Sequence, residues 1–511
     1  MRAPNFTILW ELNNNFMKIF HGVISKYGIG FIGCLIVTLL ASIPLYGIIF
    51  LPSLDGPDHW MTVKVVINTL KGKNQGWELV FIPAYKLFYF VNTPLFYLAE
   101  VVGITPKALP SLSIVLLNFI FSSFVGLKYV QMLNQHVKKR GIPGYTLGMT
   151  LSLILTLFAT LALNSASLYM GFLSFVYSVP FAVLTLMILE DCIALFNKKK
   201  LLILTCLLFL SYTGHPLSIF FLTVWAVIRM LIYYSIEFAK GSRLTRNAFI
   251  PFATFFIVVF VLAIFHHLSL PREVGLDFSK LIDSLLHPFN QPYYVYKYLK
   301  ETFLYAMGFT AEEQYIPSLY SLVGLILIVS SLLLCIIFGG WRSRLFQINL
   351  TIIIFLMLNA AFKSTILFSP NVGIYFRIRV ATICFTIAFA LAGYCIISNQ
   401  KLIRNWIIVV TISTITAMGA LYQIRSLSYT YDRFNRLSQE VYMKIKSRPA
   451  WGIADIDNFY KSNQFRYSYG NHFDKYACLY EGFCKSKLFH ERHPNWGIFP
   501  LKPIIKNSDK D

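Results

Sequence analysis

The sequence predicts an all-α, polytopic membrane protein, and two observations carry this prediction. Of the 511 residues, 56% are hydrophobic and only 13% are charged, whereas an ordinary soluble domain has about 25% charged residues. Apolar runs of roughly 17 to 25 residues recur along the chain, and each is long enough to cross a hydrocarbon core about 30 Å thick as a helix. We therefore expect a transmembrane helical bundle.

About eleven of these runs are expected to span the membrane. They lie near residues 29–50, 109–131, 144–163, 168–190, 201–213, 216–235, 248–268, 317–338, 347–366, 378–397 and 405–424. Only Gly214, His215 and Pro216 separate the fifth run from the sixth, and Pro216 suits the first turn of a new helix. The first run lacks a small-residue cleavage site, so we expect it to be retained as a span.

The positions of Lys and Arg predict which loops face the cytoplasm, because short cytoplasmic loops keep an excess of positive charge. Basic residues occupy every second connection, at 138–140, 198–200, 240–246, 342–344 and 401–404. This bias and contact with membrane lipid account for the net charge of +22, so no nucleic-acid partner is expected. The chain is predicted to be a multi-pass protein of the cell inner (plasma) membrane, with a cytoplasmic amino terminus and an exported carboxyl terminus.

The predicted topology divides the chain into two regions. Residues 1–425 form the transmembrane helical domain, which includes a first exported loop at 51–108 and a third exported loop at 269–316. Helical spacing within the first loop predicts helices after Asp58 and around Asn92, the second lying along the membrane interface. Residues 426–511 form a small exported segment, where Cys478 and Cys484 are a candidate disulfide or, alternatively, two free thiols.

Acidic residues at the membrane boundary mark the first candidate site. Asp55, Asp58 and His59 follow directly on the first span. Carboxylates are costly in hydrocarbon, so this cluster is either solvated loop or the mouth of a polar site. In the simpler interpretation Asp55 is a turn residue before Gly-Pro and Asp58 caps a helix. Such a pair with a neighbouring imidazole is also able to hold a divalent metal ion weakly, so metal dependence is open.

Imidazole and guanidinium groups on the same predicted side are candidates for binding a phosphate. His215 lies in the turn between two spans, and Arg377 and Arg379 stand at the exported mouth of the tenth span. Arginine on the exported side runs against the usual excess of positive charge in cytoplasmic loops. Its guanidinium is able to donate two parallel hydrogen bonds to an anion. Lys86 and Arg272 are weaker candidates. The alternatives are that His215 is an interfacial histidine whose hydrogen bonds are already made, and that Arg377 and Arg379 reach towards lipid headgroups.

On these features the sequence resembles the C-type integral membrane glycosyltransferases, which take a sugar from a polyprenyl-phosphate carrier on the outer face. The resemblance rests on the number of spans, the acids of a long first exported loop and the exported carboxyl-terminal segment. It implies that Asp55 or Asp58 acts as base on the acceptor, with His59 beside it, and that basic side chains hold the carrier phosphate. The spacing Asp-Gly-Pro-Asp departs from the adjacent acids common in the superfamily, which leaves the base and any metal open.

Two other classes of protein fit the same topology. A multi-span transporter or flippase would use the same spans without covalent chemistry, and it usually carries ionisable residues near mid-membrane. A non-catalytic membrane assembly factor for surface polysaccharide would leave Asp55, Asp58 and His215 as loop residues. The sequence sets neither the sugar, nor the acceptor, nor the oligomeric state.

Overall fold

The computed structural model describes residues 28–51, 56–72, 77–79, 86–137, 145–164, 173–240, 246–269, 318–361, 373–447, 458, 462 and 501–503. Within these ranges every regular element is a helix, apart from two strands of three residues each. The predicted all-α class is therefore confirmed.

Fourteen α-helices lie in the described ranges. They are α1 (Gly28–Ala41), α2 (Gly56–Leu70), α3 (Leu87–Val101), α4 (Leu109–Val137), α5 (Tyr145–Leu163), α6 (Leu173–Ala194), α7 (Lys198–Gly214), α8 (Pro216–Ala239), α9 (Arg246–Ser269), α10 (Leu319–Gly339), α11 (Arg344–Ala361), α12 (Gly373–Ser398), α13 (Gln400–Arg404) and α14 (Trp406–Ser447). Short 3₁₀ helices occupy Ile43–Leu45 and Pro106–Ala108. Strand β1 (Trp77–Leu79) pairs antiparallel with β2 (Leu501–Pro503).

Seven of the described helices are long and apolar enough to cross a membrane, judged by length and composition: α4, α5, α6, α8, α9, α10 and α14. The chain is thus a multi-pass membrane protein. The other four predicted spans coincide with α1, α7, α11 and α12. The larger count of about eleven spans stays a prediction.

The first helix is shorter than the predicted run 29–50, because α1 ends at Ala41. Pro44 lacks a backbone N–H and disfavours helical geometry in the residue before it, so the chain continues as a 3₁₀ turn. Gly47 then adopts a positive φ of 72°, which only glycine adopts without strain. The backbone N–H groups of Ile49 and Phe50 donate to the Asn435 side chain at 3.0 and 2.9 Å.

Contacts along the bundle define two ends. Helix α7 begins where Lys200 contacts Asp191 of α6, and it finishes at Gly214 beside His215. We call these the Asp191 end and the His215 end. Helix α6 runs between them in the centre of the bundle, and 83% of its apolar window is buried, the largest share among the seven candidate spans of the described chain.

Helix α14 is longer than a single span, and its second half packs against the segment 47–50 at the His215 end. Its 42 residues correspond to about 63 Å, roughly twice the thickness of the hydrocarbon core. The hydroxyl of Tyr431, in the second half of the helix, donates to the carbonyl of Asn164 at 3.2 Å. The predicted boundary between 425 and 426 therefore falls inside a continuous helix. The β1–β2 pair also joins the first predicted exported loop to the carboxyl-terminal segment.

Candidate functional site

Helices α2 and α3 bring His59 to the His215 end. The Nδ1 atom of His59 lies 2.7 Å from the hydroxyl of Tyr89, and its ring packs 5.5 Å from the ring of Phe88. Phe88 in turn meets Tyr177 of α6 edge to face at 5.1 Å. The predicted second helix of the loop is confirmed as α3. The preceding helix is α2, which begins at Gly56, two residues before Asp58; the capping role considered for the Asp58 side chain stays a prediction.

Lys86 lies at the start of α3 and is 97% buried, with a relative exposure of only 3%. Its backbone N–H donates to the carbonyl of Thr213 at 2.8 Å, two residues before His215. Burial lowers the pKa of the Lys86 ammonium to about 8, because a charged group loses hydration there. At neutral pH the amine is still mostly protonated, and a positive charge shielded from water attracts an anion more strongly than an exposed one.

The turn around His215 is shaped by its neighbours in sequence. Pro216 occupies the first turn of α8, as predicted. The Nδ1 atom of His215 accepts a hydrogen bond from the backbone N–H of Leu217 at 3.1 Å, so His215 caps this helix. A neutral imidazole that accepts at Nδ1 carries its proton on Nε2. The capping contact supports the simpler interpretation of this histidine, and it also fixes the ring with a donor at Nε2.

Gly214 permits a close approach between α7 and α6. A Cβ atom at this position would lie 2.5 Å from Cβ and 2.9 Å from Cα of Ser178. Ser178 also shares a hydrogen bond with Ser218 of α8. Residues on both sides of His215 therefore contact α6, Gly214 through close packing and Ser218 through a hydrogen bond.

Helix α9 adds a histidine that sequence analysis missed. The Nδ1 atom of His266 lies 3.2 Å from the Tyr212 hydroxyl, and the two rings meet edge to face at 5.8 Å. The signal in the sequence is the pair of histidines that ends the predicted span 248–268. Tyr212 precedes His215 by less than one turn, so His266 borders the same region.

Several predicted residues lie outside what the structure describes. These are Asp55, Arg272, Cys478 and Cys484, together with the side chains of Asp58, Arg377 and Arg379. The backbone of α12 still places its start at one end of the bundle. Arg377 precedes Tyr394, a residue of the Asp191 end, by about 25 Å of helix, so α12 begins at the end where α7 finishes.

No group of three or more His, Cys, Asp or Glu side chains able to hold a metal ion occurs among the described residues. Metal binding by the Asp55 and Asp58 carboxylates therefore stays a prediction. The six cysteines in or beside the predicted spans are free thiols, five of them buried.

A second polar cluster, absent from the sequence predictions, lies at the Asp191 end. We call it the α6 charge network; its members are Lys128, Glu190, Asp191, Lys200, Arg229 and Arg344, joined by Gln347 and Tyr394. In its inner half, Nε and Nη2 of Arg229 donate to the two carboxylate oxygens of Glu190 at 2.6 and 3.2 Å. Both side chains have a relative exposure of 0%.

The outer half of the network surrounds Asp191. Its carboxylate pairs with Lys128 and accepts from Lys200 at 3.2 Å. The Tyr394 hydroxyl donates to the other Asp191 oxygen at 3.1 Å and accepts from Nη2 of Arg344 at 2.9 Å. Two adjacent acids of α6 are thereby tied to five neighbouring helices.

The sequence did carry a signal for this network. Arg229 falls inside the predicted span 216–235, where an arginine requires a counter-ion. Its partner Glu190 lies 39 residues away, so no local pattern identifies the pair.

Comparison with known proteins assigns no family to the chain. No protein-family model matches it, and no curated protein matches it either.

Proposed function

We propose that the chain is an integral membrane glycosyltransferase that moves a sugar from a polyprenyl-phosphate carrier to an acceptor at the His215 end. The single observation that supports this most is the burial of Lys86, whose backbone N–H donates to the carbonyl of Thr213, two residues before His215. A desolvated ammonium on a residue that adjoins a histidine turn is the type of group that holds a phosphate leaving group. Asp58 lies on α2, which also carries His59, and Asp55 directly precedes this helix in the sequence, so base and phosphate site adjoin in this proposal.

The proposed reaction breaks the bond between the sugar's anomeric carbon and the carrier phosphate oxygen, and forms a bond from that carbon to the acceptor oxygen. Asp55 or Asp58 takes the acceptor's proton, assistance worth roughly 10²–10⁴ in rate. The polyprenyl phosphate leaves with the electron pair of the broken bond. Lys86, His215 and the predicted Arg377 and Arg379 stabilise its negative charge.

The β1–β2 pair supports a further part of the proposal. Backbone pairing of Glu78 with Lys502 attaches the carboxyl-terminal segment to the first loop. In the proposed enzyme this segment covers the site from the outer side and contributes to acceptor binding. The outer location itself rests on the predicted distribution of basic residues.

Transfer from a radiolabelled polyprenyl-phosphate sugar tests the proposal in membranes that contain the full chain. Asp55→Asn, Asp58→Asn and His215→Ala are compared with Asp432→Asn as a control. Asp432 is an acid on the same predicted side, and its exposed pair with Arg436 lies on the surface of α14. We expect transfer to fall at least about 100-fold in one of the two loop-acid variants and to be unchanged in the control. Equal transfer in all variants at equal expression contradicts the proposed site.

A second candidate function, transport or flipping of a lipid-linked sugar, is favoured by one observation. Glu190 and Arg229 form a fully buried ion pair within the bundle, and intramembrane ionisable residues often mark substrate or proton pathways. Vesicles containing the chain distinguish the two functions, because a flippase moves the labelled carrier between leaflets without forming a product. Loss of movement in Glu190→Gln, with no glycosyl transfer in the wild type, would support the transporter.

A further inference from the structure

The α6 charge network holds more positive than negative charge. Four of its members are cationic and two are carboxylates, which leaves two positive charges without a carboxylate of their own. Positive charge gathered at the cytoplasmic boundary of a membrane attracts anionic headgroups. The surplus of the network therefore favours an anionic partner.

Burial separates the four cations into an inner and an outer pair. Arg229 and Lys128 have side-chain exposures of 0% and 6%, and they neutralise Glu190 and Asp191 at short range. Lys200 and Arg344 contact the same two carboxylates at longer range, 3.2 and 3.5 Å, and are 32% and 33% exposed. The surplus positive charge thus belongs to the outer pair, which an external ligand is able to reach.

Arg344 keeps hydrogen-bonding capacity for such a ligand. Its Nη2 donates to the Glu190 carbonyl at 2.6 Å and to the Tyr394 hydroxyl at 2.9 Å. Its Nε is buried and faces the Glu190 carboxylate at 3.5 Å, whereas its Nη1 donates to none of the described residues. A guanidinium held in place by two bonds, with further N–H groups to offer, matches the geometry of phosphate oxygens.

The two segments that carry the outer pair also expose apolar side chains, close in sequence to the exposed Lys199 and Arg342. Ile337 and Trp341 stand just before Arg344, at relative exposures of 70% and 53%, and Leu195 and Leu202 flank Lys200 at 71% and 66%. Exposed aliphatic side chains suit acyl chains, and tryptophan favours headgroup depth in a bilayer. This combination favours a phosphate that is part of a lipid.

We propose that Lys200 and Arg344 bind the phosphate headgroup of an anionic phospholipid at the Asp191 end. Basic pockets between transmembrane helices on the cytoplasmic side bind such headgroups, and the predicted orientation places the Asp191 end on that side. The lipid neutralises the surplus charge of the network and reinforces the junction of α6 with α7 and α11. This site lies at the opposite end of the bundle from the proposed transferase site and is independent of it.

Lipid binding to the purified full chain tests the proposal. The chain in detergent is titrated with phosphatidylglycerol, with phosphatidylcholine and with inorganic phosphate, and bound molecules are counted by native mass spectrometry. Lys200→Gln and Arg344→Gln are the test variants. Lys199→Gln and Arg342→Gln are matched controls, because each removes one positive charge from an exposed side chain of the same two segments. We expect each test variant to weaken phosphatidylglycerol binding about tenfold, the loss of one charge-assisted contact, and the controls to bind as the wild type does.

Three results would overturn the proposal. Equal weakening in all four variants would assign binding to general surface charge, and no weakening in either test variant would remove the site. Binding of phosphatidylcholine or inorganic phosphate as tight as that of phosphatidylglycerol would exclude an anionic lipid as the preferred ligand. If Arg344→Gln fails to fold, Lys200→Gln decides the outcome, since its side chain is partly exposed and contributes a single contact to the network.

Discussion

The ion pair between Glu190 and Arg229 gives the sharpest quantitative prediction. Both side chains are fully buried, and two hydrogen bonds of 2.6 and 3.2 Å join them. Glu190→Gln removes the negative charge and leaves the Arg229 guanidinium uncompensated in the interior. Because breaking a buried pair on one side costs about 3–5 kcal/mol, we expect the free energy of unfolding to fall by about that amount.

The control for this prediction lies on the same helix as Arg229. Glu237 pairs with Lys240, and these side chains are 18% and 30% exposed. Glu237→Gln is therefore expected to cost about 0.5 kcal/mol or less. In a double-mutant cycle, Glu190→Gln is combined with Arg229→Gln. The loss of unfolding free energy in the double variant should be about 1–3 kcal/mol smaller than the losses of the two single variants added together. Unfolding of the purified chain in mixed micelles, followed by circular dichroism, measures all four changes.

Two results would refute this reasoning. A cost of only about 0.6 kcal/mol for Glu190→Gln would place the contact among ordinary interhelical hydrogen bonds in membranes, rather than among strongly coupled charges. Strict additivity in the cycle would show that the two residues contribute independently of each other.

Three further predictions concern the His215 end. Because burial lowers the pKa of Lys86 to about 8, its amine loses its charge as the pH rises through 8. Carrier binding should therefore weaken over that interval in the wild type and persist in Lys86→Arg. A binding titration on either side of pH 8 measures both. Burial opposes ionisation of Glu100, but its two lysine partners outweigh this and lower its pKa. Its carboxylate therefore stabilises α3 at neutral pH and ceases to do so as the pH falls through that lowered pKa. Glu100→Gln should cost about 1 kcal/mol at neutral pH and nothing in acid, as read from hydrogen exchange of α3. Gly214→Ala forces a Cβ against Ser178 and should lower the free energy of unfolding by about 1–3 kcal/mol. In the control Gly28→Ala the added Cβ has no described neighbour within 4 Å, so the melting temperature should not change.

The helices were the predictable part of the fold, because length and apolar composition are properties of each segment alone. Pro216 at the start of α8 followed from local backbone preferences in the same way. The end of α1 was misjudged, because the apolar run continues through Pro44. The apolar composition of a segment does not reflect that proline lacks the backbone N–H a helix needs. The continuation of α14 to Ser447 was also missed, since its second half is too polar to be recognised as a span.

The candidate site was predictable only in part. The turn at His215 and the neighbouring His59 were recognised because polar residues at the ends of apolar runs stand out. The burial of Lys86 depends on the packing of α3 against the end of α7, through the bond to Thr213, and nothing in the order of residues indicates it. The α6 charge network has the same origin, since its members come from five helices.

Helix α6 provides a physical connection between the two ends of the bundle. Ser178 packs against Gly214 near its start, and Glu190 pairs with Arg229 about 18 Å further along. A buried ion pair contributes little net stability when compared with well-packed apolar side chains, but it strongly penalises arrangements that separate the charges. A slip of α6 by one turn would move Glu190 by about 5.4 Å, out of reach of Arg229. The same slip would displace Ser178 from Gly214, which has no Cβ to clash with it. The charges at one end thus select the helix register that the close packing at the His215 end requires.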